Sequence, residues 1–583
     1  TLTDNQFLTL RYDFENNDRY EDGLEILGAT SAASAGGIQH NELWSALLNH
    51  TWIASQMALN EAVFQASYFD NTIENIHDDP RLHFPHLVRG SYGSAQETIQ
   101  KKYQWKDDFS YHSGHHDWKA GVDWIHSPEL FVNNPFLSAG SFYYSVDDAD
   151  AAPFAFFSTY GDARARRPND QVGIYIQDDW TIGERLVLNL GLRYDVEFGT
   201  FDVPETLIGR AIEDNPAARR EAGFERGTLK NDVDNIGPRL GFAWDARGDG
   251  KTVVRGGTGI FYDQIFFSIT LFDDLLTNDP PFVGVLIFSP TFGPGNIPDL
   301  SEYATPANAF PYFTSPDLQT PYSVQRSLGI SQQIGEHLAV DADAVLVRGV
   351  HEFRQRRINI DPDGDGPLPR PISEEFGTVN LSETTGESWY RALHLALRGR
   401  WGKASLQISA TIADAETHQG DFGYAPQNNL HDNAPDHTRR DIGKPVNFEP
   451  WRLVASGIYE LPAGFQVSGI VQAAHARPYT TSYGYDLNGD GVSNDRPDGL
   501  GDRYGDPFFM ADLRVSKFFR FGHGPNVEAS VDVFNVFDTV NFGSSYDGSL
   551  YSGSPDNPNP TYGKPTATFG PPRQIQLGLR INF

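Results

Sequence analysis

The sequence predicts an all-β fold, a transmembrane antiparallel β-barrel with long extracellular loops. Three observations carry that expectation. Segments along the whole chain alternate apolar and polar side chains with a period of two. They come in pairs joined by tight turns. The links between pairs are long, so short and long connections alternate from one end to the other. In a compact soluble domain so many long structureless links would count against the strands. In a membrane barrel short turns on one side and long loops on the other are the rule.

The last segment shows the alternation most cleanly. Ile575, Leu577, Leu579, Ile581 and Phe583 fall on one face, and Gln574, Gln576, Gly578, Arg580 and Asn582 on the other. One face is apolar and one is wet, and an unpaired strand of that kind would be a sticky edge. The expectation is a strand that closes a barrel, runs inward to the periplasm and turns Leu577, Leu579 and Ile581 to lipid. Residues 6–14 are the only strand in the chain placed to meet it.

Earlier pairs repeat the pattern. Residues 170–184 and 185–198 turn through Ile182, Gly183, Glu184 and Arg185. Residues 237–245 and 252–262 turn through Ala246–Gly250, and residues 389–400 and 404–413 through Trp401, Gly402 and Lys403. Other turns are read near 55–59, 112–116, 335–337, 461–464 and 521–524. Between pairs lie Pro-, Gly-, Asn- and Asp-rich links such as 131–168, 200–235, 266–320, 358–387, 418–446, 485–506 and 543–571. The count is about 18 strands, an even number that suits an antiparallel single-chain barrel. Trp180, Trp244, Trp401, Tyr459, Phe518, Phe519, Phe521 and Phe583 gather at the short-turn ends, as an aromatic girdle at the periplasmic interface would.

Composition agrees and excludes other classes. Only 39% of the 583 residues are hydrophobic, while aromatics reach 13%. No apolar run is long enough for a membrane helix, which needs about 20 residues. A barrel strand needs only about 9–11, with every second side chain facing lipid. Cysteine is absent, so disulfides, thiolate metal sites and a Cys nucleophile are excluded. A net charge of −32 argues against nucleic acid, whose phosphates need clustered Lys and Arg. No signal peptide is visible at Thr1, so the sequence is read either as a mature chain or as a fragment of a longer one.

A series of segments resembles a known family. In order they are DQVGIYIQDDW (170–180), LNLGLRYD (188–195), GPRLGFAWD (237–245), VVRGGTGIFYD (253–263), SWYRALHLAL (388–397), DLNGDGVSNDRPDG (486–499), ASVDVFNVFDTVNFG (529–543) and PRQIQLGLRINF (572–583). Together they resemble the barrel of TonB-dependent receptors, in particular the Oar-like branch with large outer loops. The resemblance implies an outer-membrane receptor or transporter with about 22 strands, preceded by a plug and an energy-coupling box. Residues 1–583 read as barrel alone, with neither a plug nor a carboxypeptidase-regulatory-like domain. Four strands fewer preserve the up–down alternation, so a closed 18-strand barrel and an incomplete larger one both fit. Partnership with TonB is implied only where a plug exists. The other partners implied are outer-membrane lipid, the barrel-insertion machinery, which would read Gly578, Leu579, Ile581 and Phe583, and a small ligand of unknown kind.

Few motifs carry chemistry. Asp486, Asn488 and Asp490, followed by Gly491 and Asp495, place oxygen side chains at the spacing of a calcium loop. Pro497 stands where the closing Glu belongs, so Asp495 is the candidate closer. Asp361, Asp363 and Asp365 form a second such run. Structural calcium in the outer loops is the one cofactor expected, and it would stiffen loops. His112, His115 and His116, and His418, His431 and His437, cluster without the spacing or the Cys partners of a metal site, and are read as solvated loop histidines. No nucleophile elbow, metalloprotease motif, phosphate loop or dinucleotide fingerprint occurs, so no enzyme is expected. Gln466, Ser468, Gln472, Glu528, Asp532, Arg514, Arg255 and Arg239 are expected to face the lumen. The apolar run 282–288 is expected first to pack on neighbouring loops, with plugging of the mouth and contact with a partner protein as the alternatives.

The reading is therefore a bacterial outer-membrane receptor that binds a scarce nutrient through outer loops and passes it through a gated barrel. A structural or interaction barrel and a passive porin-like channel are the competing classes. Deleting Phe583, or replacing it with Asp, should lower the amount of heat-modifiable barrel in the outer membrane several-fold. Unchanged levels on unheated gels would contradict the role given to the last strand.

Overall fold

The computed structural model describes residues 2–21, 30–199, 206–216, 219, 231–264, 267–304, 312–359, 379–418, 441–487, 495–520 and 526–582. Among the described residues eighteen strands build the wall. They are β1 (Gln6–Glu21), β2 (Gly37–Ser55), β3 (Ala58–Asn75), β4 (Gln96–Ser113), β5 (His116–Asn133) and β6 (Arg164–Ile182). Next come β7 (Leu186–Phe198), β8 (Ile236–Asp245), β9 (Thr252–Tyr262), β10 (Tyr322–Ile334), β11 (Leu338–Ile358) and β12 (Val379–Trp401). The last six are β13 (Ala404–Thr417), β14 (Trp451–Leu461), β15 (Phe465–Ala474), β16 (Phe508–Arg520), β17 (Asn526–Phe534) and β18 (Gln574–Asn582). Each pairs antiparallel with the next in sequence. The predicted alternation of links holds without exception. The tight turns start after β2 and recur after every second strand, and the long links start after β1.

The short turns follow from residue type. Gly114, Gly183, Gly335 and Gly402 occupy them with positive φ, where a side chain would be strained. The link between β8 and β9 is held instead by Asp245, whose carboxylate accepts from the backbone of Gly248 and Gly250, each at 2.8 Å.

Register decides which residues meet lipid. Ile174 and Ile176 of β6 and Leu190 and Leu192 of β7 point outward and are exposed, while Gly173, Tyr175, Arg193 and Asp195 point inward. The girdle residues Trp180, Trp244, Trp401, Tyr459 and Phe519 are outward and exposed at the short-turn ends. Lys517 lies at the same level, with its ammonium 4.4 Å over the ring of Phe465, as a snorkelling side chain would. Phe518 does not belong to the girdle. It pairs with Glu528 on the inner face, because strand alternation puts it opposite Phe519. Phe521 and Phe583 lie outside the described residues.

No ladder joins the two edges among the described residues. Among the described residues β1 pairs only with β2, and β18 only with β17. The expected pairing of residues 6–14 with the last strand is therefore absent. Both edge strands are exposed on both faces, with Leu577 at 77% and Leu10 at 74%.

The long links pack on one another and on the wall at its long-link end. Thr30–Ser31, Arg81–His83, Leu87–Arg89, Ser141–Tyr143, Ala155–Tyr160 and Val283–Phe288, from four different links, make one six-stranded sheet. Phe84, Phe142, Tyr144 and Phe156 form its core. Arg81 is buried and donates to the carbonyls of Ser91, at 2.8 Å, and Tyr92, at 2.6 Å. The apolar run 282–288 thus packs on neighbouring loops, as expected, as an edge strand beside Ala155–Tyr160.

A second module contains α1 (Leu207–Glu213), α2 (Phe267–Leu276) and the short strand Tyr312–Thr314, which lies parallel to β12. Ile208, Ile212, Phe313, Ile358, Val379 and Leu381 pack together there. Arg167, on the inner face of β6, donates two hydrogen bonds of 2.5 Å to Asp274. Asp273 accepts from Thr314 through its backbone N–H at 3.1 Å and its hydroxyl at 2.5 Å. The link 263–321 belongs to both modules and ties them into one lid.

Burial pushes the Asp273 carboxyl up to about 6. A raised carboxyl favours the protonated folded state. Its contribution is full below about pH 4 and is lost as pH rises through about 6. Amide hydrogen exchange of α2, corrected for intrinsic rates, should therefore slow as pH falls from about 7 to 5. Asp273→Asn should remove that dependence and give the slow rate throughout.

Candidate functional site

The inner face of the wall is polar, and its charges are paired strand to strand. Arg255 of β9 holds Asp343 of β11 at 2.7 Å, and Arg398 of β12 holds Asp341 at 2.6 Å. Asp108 of β4 is held by Lys106 at 2.9 Å and Lys119 at 3.4 Å, and accepts from the Tyr175 hydroxyl at 2.6 Å. Arg514 reaches Asp532 at 3.2 Å and Glu528 at 3.8 Å. Gln472 accepts from Arg452 at 2.7 Å, and Arg239 lies 4.5 Å over Phe261. Gln466 and Ser468 pair with Ser516 and Arg514 on the same face. The eight residues expected to face the lumen all do so.

Glycine makes room for these pairs. A methyl at Gly173 would sit 2.1 Å from Arg193 Nη2, and one at Gly329 1.9 Å from Asp343 Oδ1. The missing side chains let long polar groups lie flat across the wall.

One cavity of about 190 Å³ opens on the inner wall, where β5, β6 and β7 approach the lid. Asp123, Gln171, Arg193, Asp195 and Glu197 supply its floor. Asn235, Tyr262, Asp263, Gln264 and Thr320 cover it from the long links and the end of β9. Arg193 clamps Asp195, with Nη2 at 2.7 Å from Oδ1. Gln171 donates to Asn169 at 3.1 Å and to Gln264 at 2.6 Å, joining wall to cover. The sequence reading missed this site. Its only signal was the polar half of each alternating strand, and the cover comes from residues far away in the chain.

The motif residues behave differently. Asp495 is buried, and its carboxylate accepts from the backbone of Leu487 at 2.7 Å, so one oxygen closes the loop itself. Asp486 is exposed. Asn488, Asp490, Asp361, Asp363 and Asp365 lie outside the described residues, as do His431 and His437. Among the described residues no three His, Asp or Glu side chains converge to hold a metal. His112 binds Asp117 at 2.6 Å. His116 binds Asp178 at 2.7 Å and stacks on Trp118 and Trp180. His418 accepts from the Glu387 backbone at 3.2 Å. Gly578, Leu579 and Ile581 lie on β18, Gly578 facing Ser530 and the other two outward.

The chain is similar to solved outer-membrane proteins over its whole length. The transporter YddB from Escherichia coli shares 15% identity, with a TM-score of 0.64, over 100% of this chain and 67% of that one. The FrpB iron transporter from Neisseria meningitidis shares 12%, with a TM-score of 0.55, over 99% and 70%. The ferric enterobactin receptor PfeA from Pseudomonas aeruginosa shares 11%, with a TM-score of 0.56, over 100% and 68%. At these identities the likeness is one of fold, and the chain spans about two thirds of each neighbour. No curated protein matches it in sequence. Residues 1–507 match the outer membrane beta barrel domain, and with the wall of lipid-facing strands described above the chain belongs to that family.

Proposed function

We propose that this chain is the barrel of a TonB-dependent outer-membrane receptor that captures a scarce solute and passes it through a gated lumen. The carboxy terminus is periplasmic and the long links are extracellular in this reading. The observation that supports it best is the lid. Two modules packed from the long links reach the inner face of the wall through Arg167 and Asp274, and in this reading they cover the mouth of a polar lumen, an arrangement that suits controlled entry and does not suit a standing pore. The neighbours named as transporters and receptors, two of them for iron or a ferric ligand, support the same class. The work is binding and gated passage, with no covalent step, and TonB is the energy-coupling partner where a plug is present.

Entry of a large hydrophilic antibiotic tests this. Cells carrying the intact protein in the outer membrane should resist vancomycin as control cells do, and removal of residues 263–321 should sensitise them. Sensitivity with the intact protein would favour a passive channel. Continued resistance after removal, with normal barrel levels, would favour a structural role.

Calcium in the loops around Asp486–Asp495 and Asp361–Asp365 is a further part of this proposal. A chelator should then speed proteolysis of the outer loops of the folded barrel several-fold, and added calcium should restore protection. Equal digestion with and without chelator would remove calcium from the reading.

A further inference from the structure

We propose that the inner-wall cavity takes a small organic cation, an amine or guanidinium that offers several N–H donors. The inference deepens the receptor reading, on which it rests for the cavity's place on the path of a solute.

Charge comes first. The lining carries Asp123, Asp195, Glu197 and Asp263 against the single guanidinium of Arg193, so three negative charges are left over. Arg193 is spent on Asp195. Long-range field adds to this, since a chain of net charge −32 concentrates cations near its mouth.

Hydrogen-bond supply points the same way. The main donors of the wall are committed inside it. Gln171 serves Asn169 and Gln264, and the Asn235 amide serves Thr320 at 3.3 Å and the Asp232 carbonyl at 3.2 Å. Acceptors remain. Asp123 takes one bond, from Gln104 at 2.8 Å on Oδ1, and Asp263 takes one, from the Gln264 backbone at 2.8 Å on Oδ1. Among the described residues neither Oδ2 takes a bond. Asn235 is an independent case. It is only 2% exposed and lines the cavity, yet its Oδ1 takes no hydrogen bond among the described residues. That oxygen is not sealed from solvent, so a donor entering the cavity, ligand or water, can reach it.

The shape selects among cations. No three carboxylates converge on one point among the described residues, so a bare metal ion is a poor match. The acceptors are spread around a cavity of about 190 Å³ that is also lined by Ile125 and Tyr262. An alkyl stem beside Ile125, with a cationic head against Tyr262 and the carboxylates, satisfies both kinds of wall.

Equilibrium dialysis of the full-length protein in detergent tests the idea, with agmatine as probe and 1,4-butanediol as the uncharged comparison. Agmatine should bind, butanediol should not, and salt of about 0.3 M should weaken binding. The double change Asp123→Asn and Asp263→Asn should weaken it by about tenfold or more. Asp263→Asn alone, at the end of β9, serves if the double variant loses its heat-modifiable migration, and should weaken binding about threefold. The proposal is overturned by equal binding of butanediol, by unchanged binding in a folded variant, or by no agmatine binding at about 1 mM. Vancomycin entry is read in parallel. The expected lid behaviour without agmatine binding sinks the cation alone. Agmatine binding with a mouth already open sinks the receptor reading and leaves the site.

Discussion

Backbone hydrogen bonding in lipid is the constraint on which this molecule depends. A peptide group facing hydrocarbon has no water to pair with, and each unpaired one costs several kcal/mol. Every wall strand between β1 and β18 meets this by lending one edge to each neighbour. The edges of β1 and β18 are the exception, and in a bilayer they must pair with one another or with further strands. The antiparallel order allows either, because β1 and β18 run in opposite senses. The exposure of β18 on both faces is the local sign of that unmet demand.

Once pairing is fixed, the pleat does the rest. Alternation sends one set of side chains to lipid and the other to the lumen, with no choice left to individual residues. The outer set is apolar, with tryptophan, tyrosine and phenylalanine at the short-turn rim. The inner set is charged, and a charge near lipid-embedded backbone needs a partner. Arg255 with Asp343, Arg398 with Asp341 and Lys106 with Asp108 are such pairs. Gly173 and Gly329 are part of the same arrangement, since a methyl there would collide with the pair opposite.

The loops obey a different rule. Above the wall they are free of the bilayer and must bury apolar surface as any globular domain does. They do it by pooling segments from several links, none of which has enough to form a core alone. Phe84 comes from one link and Phe142 and Phe156 from the next, and Ile208 and Phe313 also come from separate links. The link 263–321 enters both cores and meets the wall through Arg167 and Asp274. The cavity lies where this lid and the inner wall adjoin.

The sequence by itself determined the strands, their direction and their two faces, because a period of two and a short turn are local properties. Ile575 to Ile581, the short turns and the inward places of Arg239, Arg255 and Arg514 were all legible. Phe518 was misread because clustering at a strand end was weighed above alternation. Whether β1 meets β18 was not legible, since edge pairing joins residues more than five hundred positions apart. The lid and the cavity were invisible for the same reason. Asp123, Asp195 and Asp263 are unremarkable polar residues in their own segments. Only the tertiary structure brings the wall strands under the link from β9, and a site made by distant contacts leaves no local pattern.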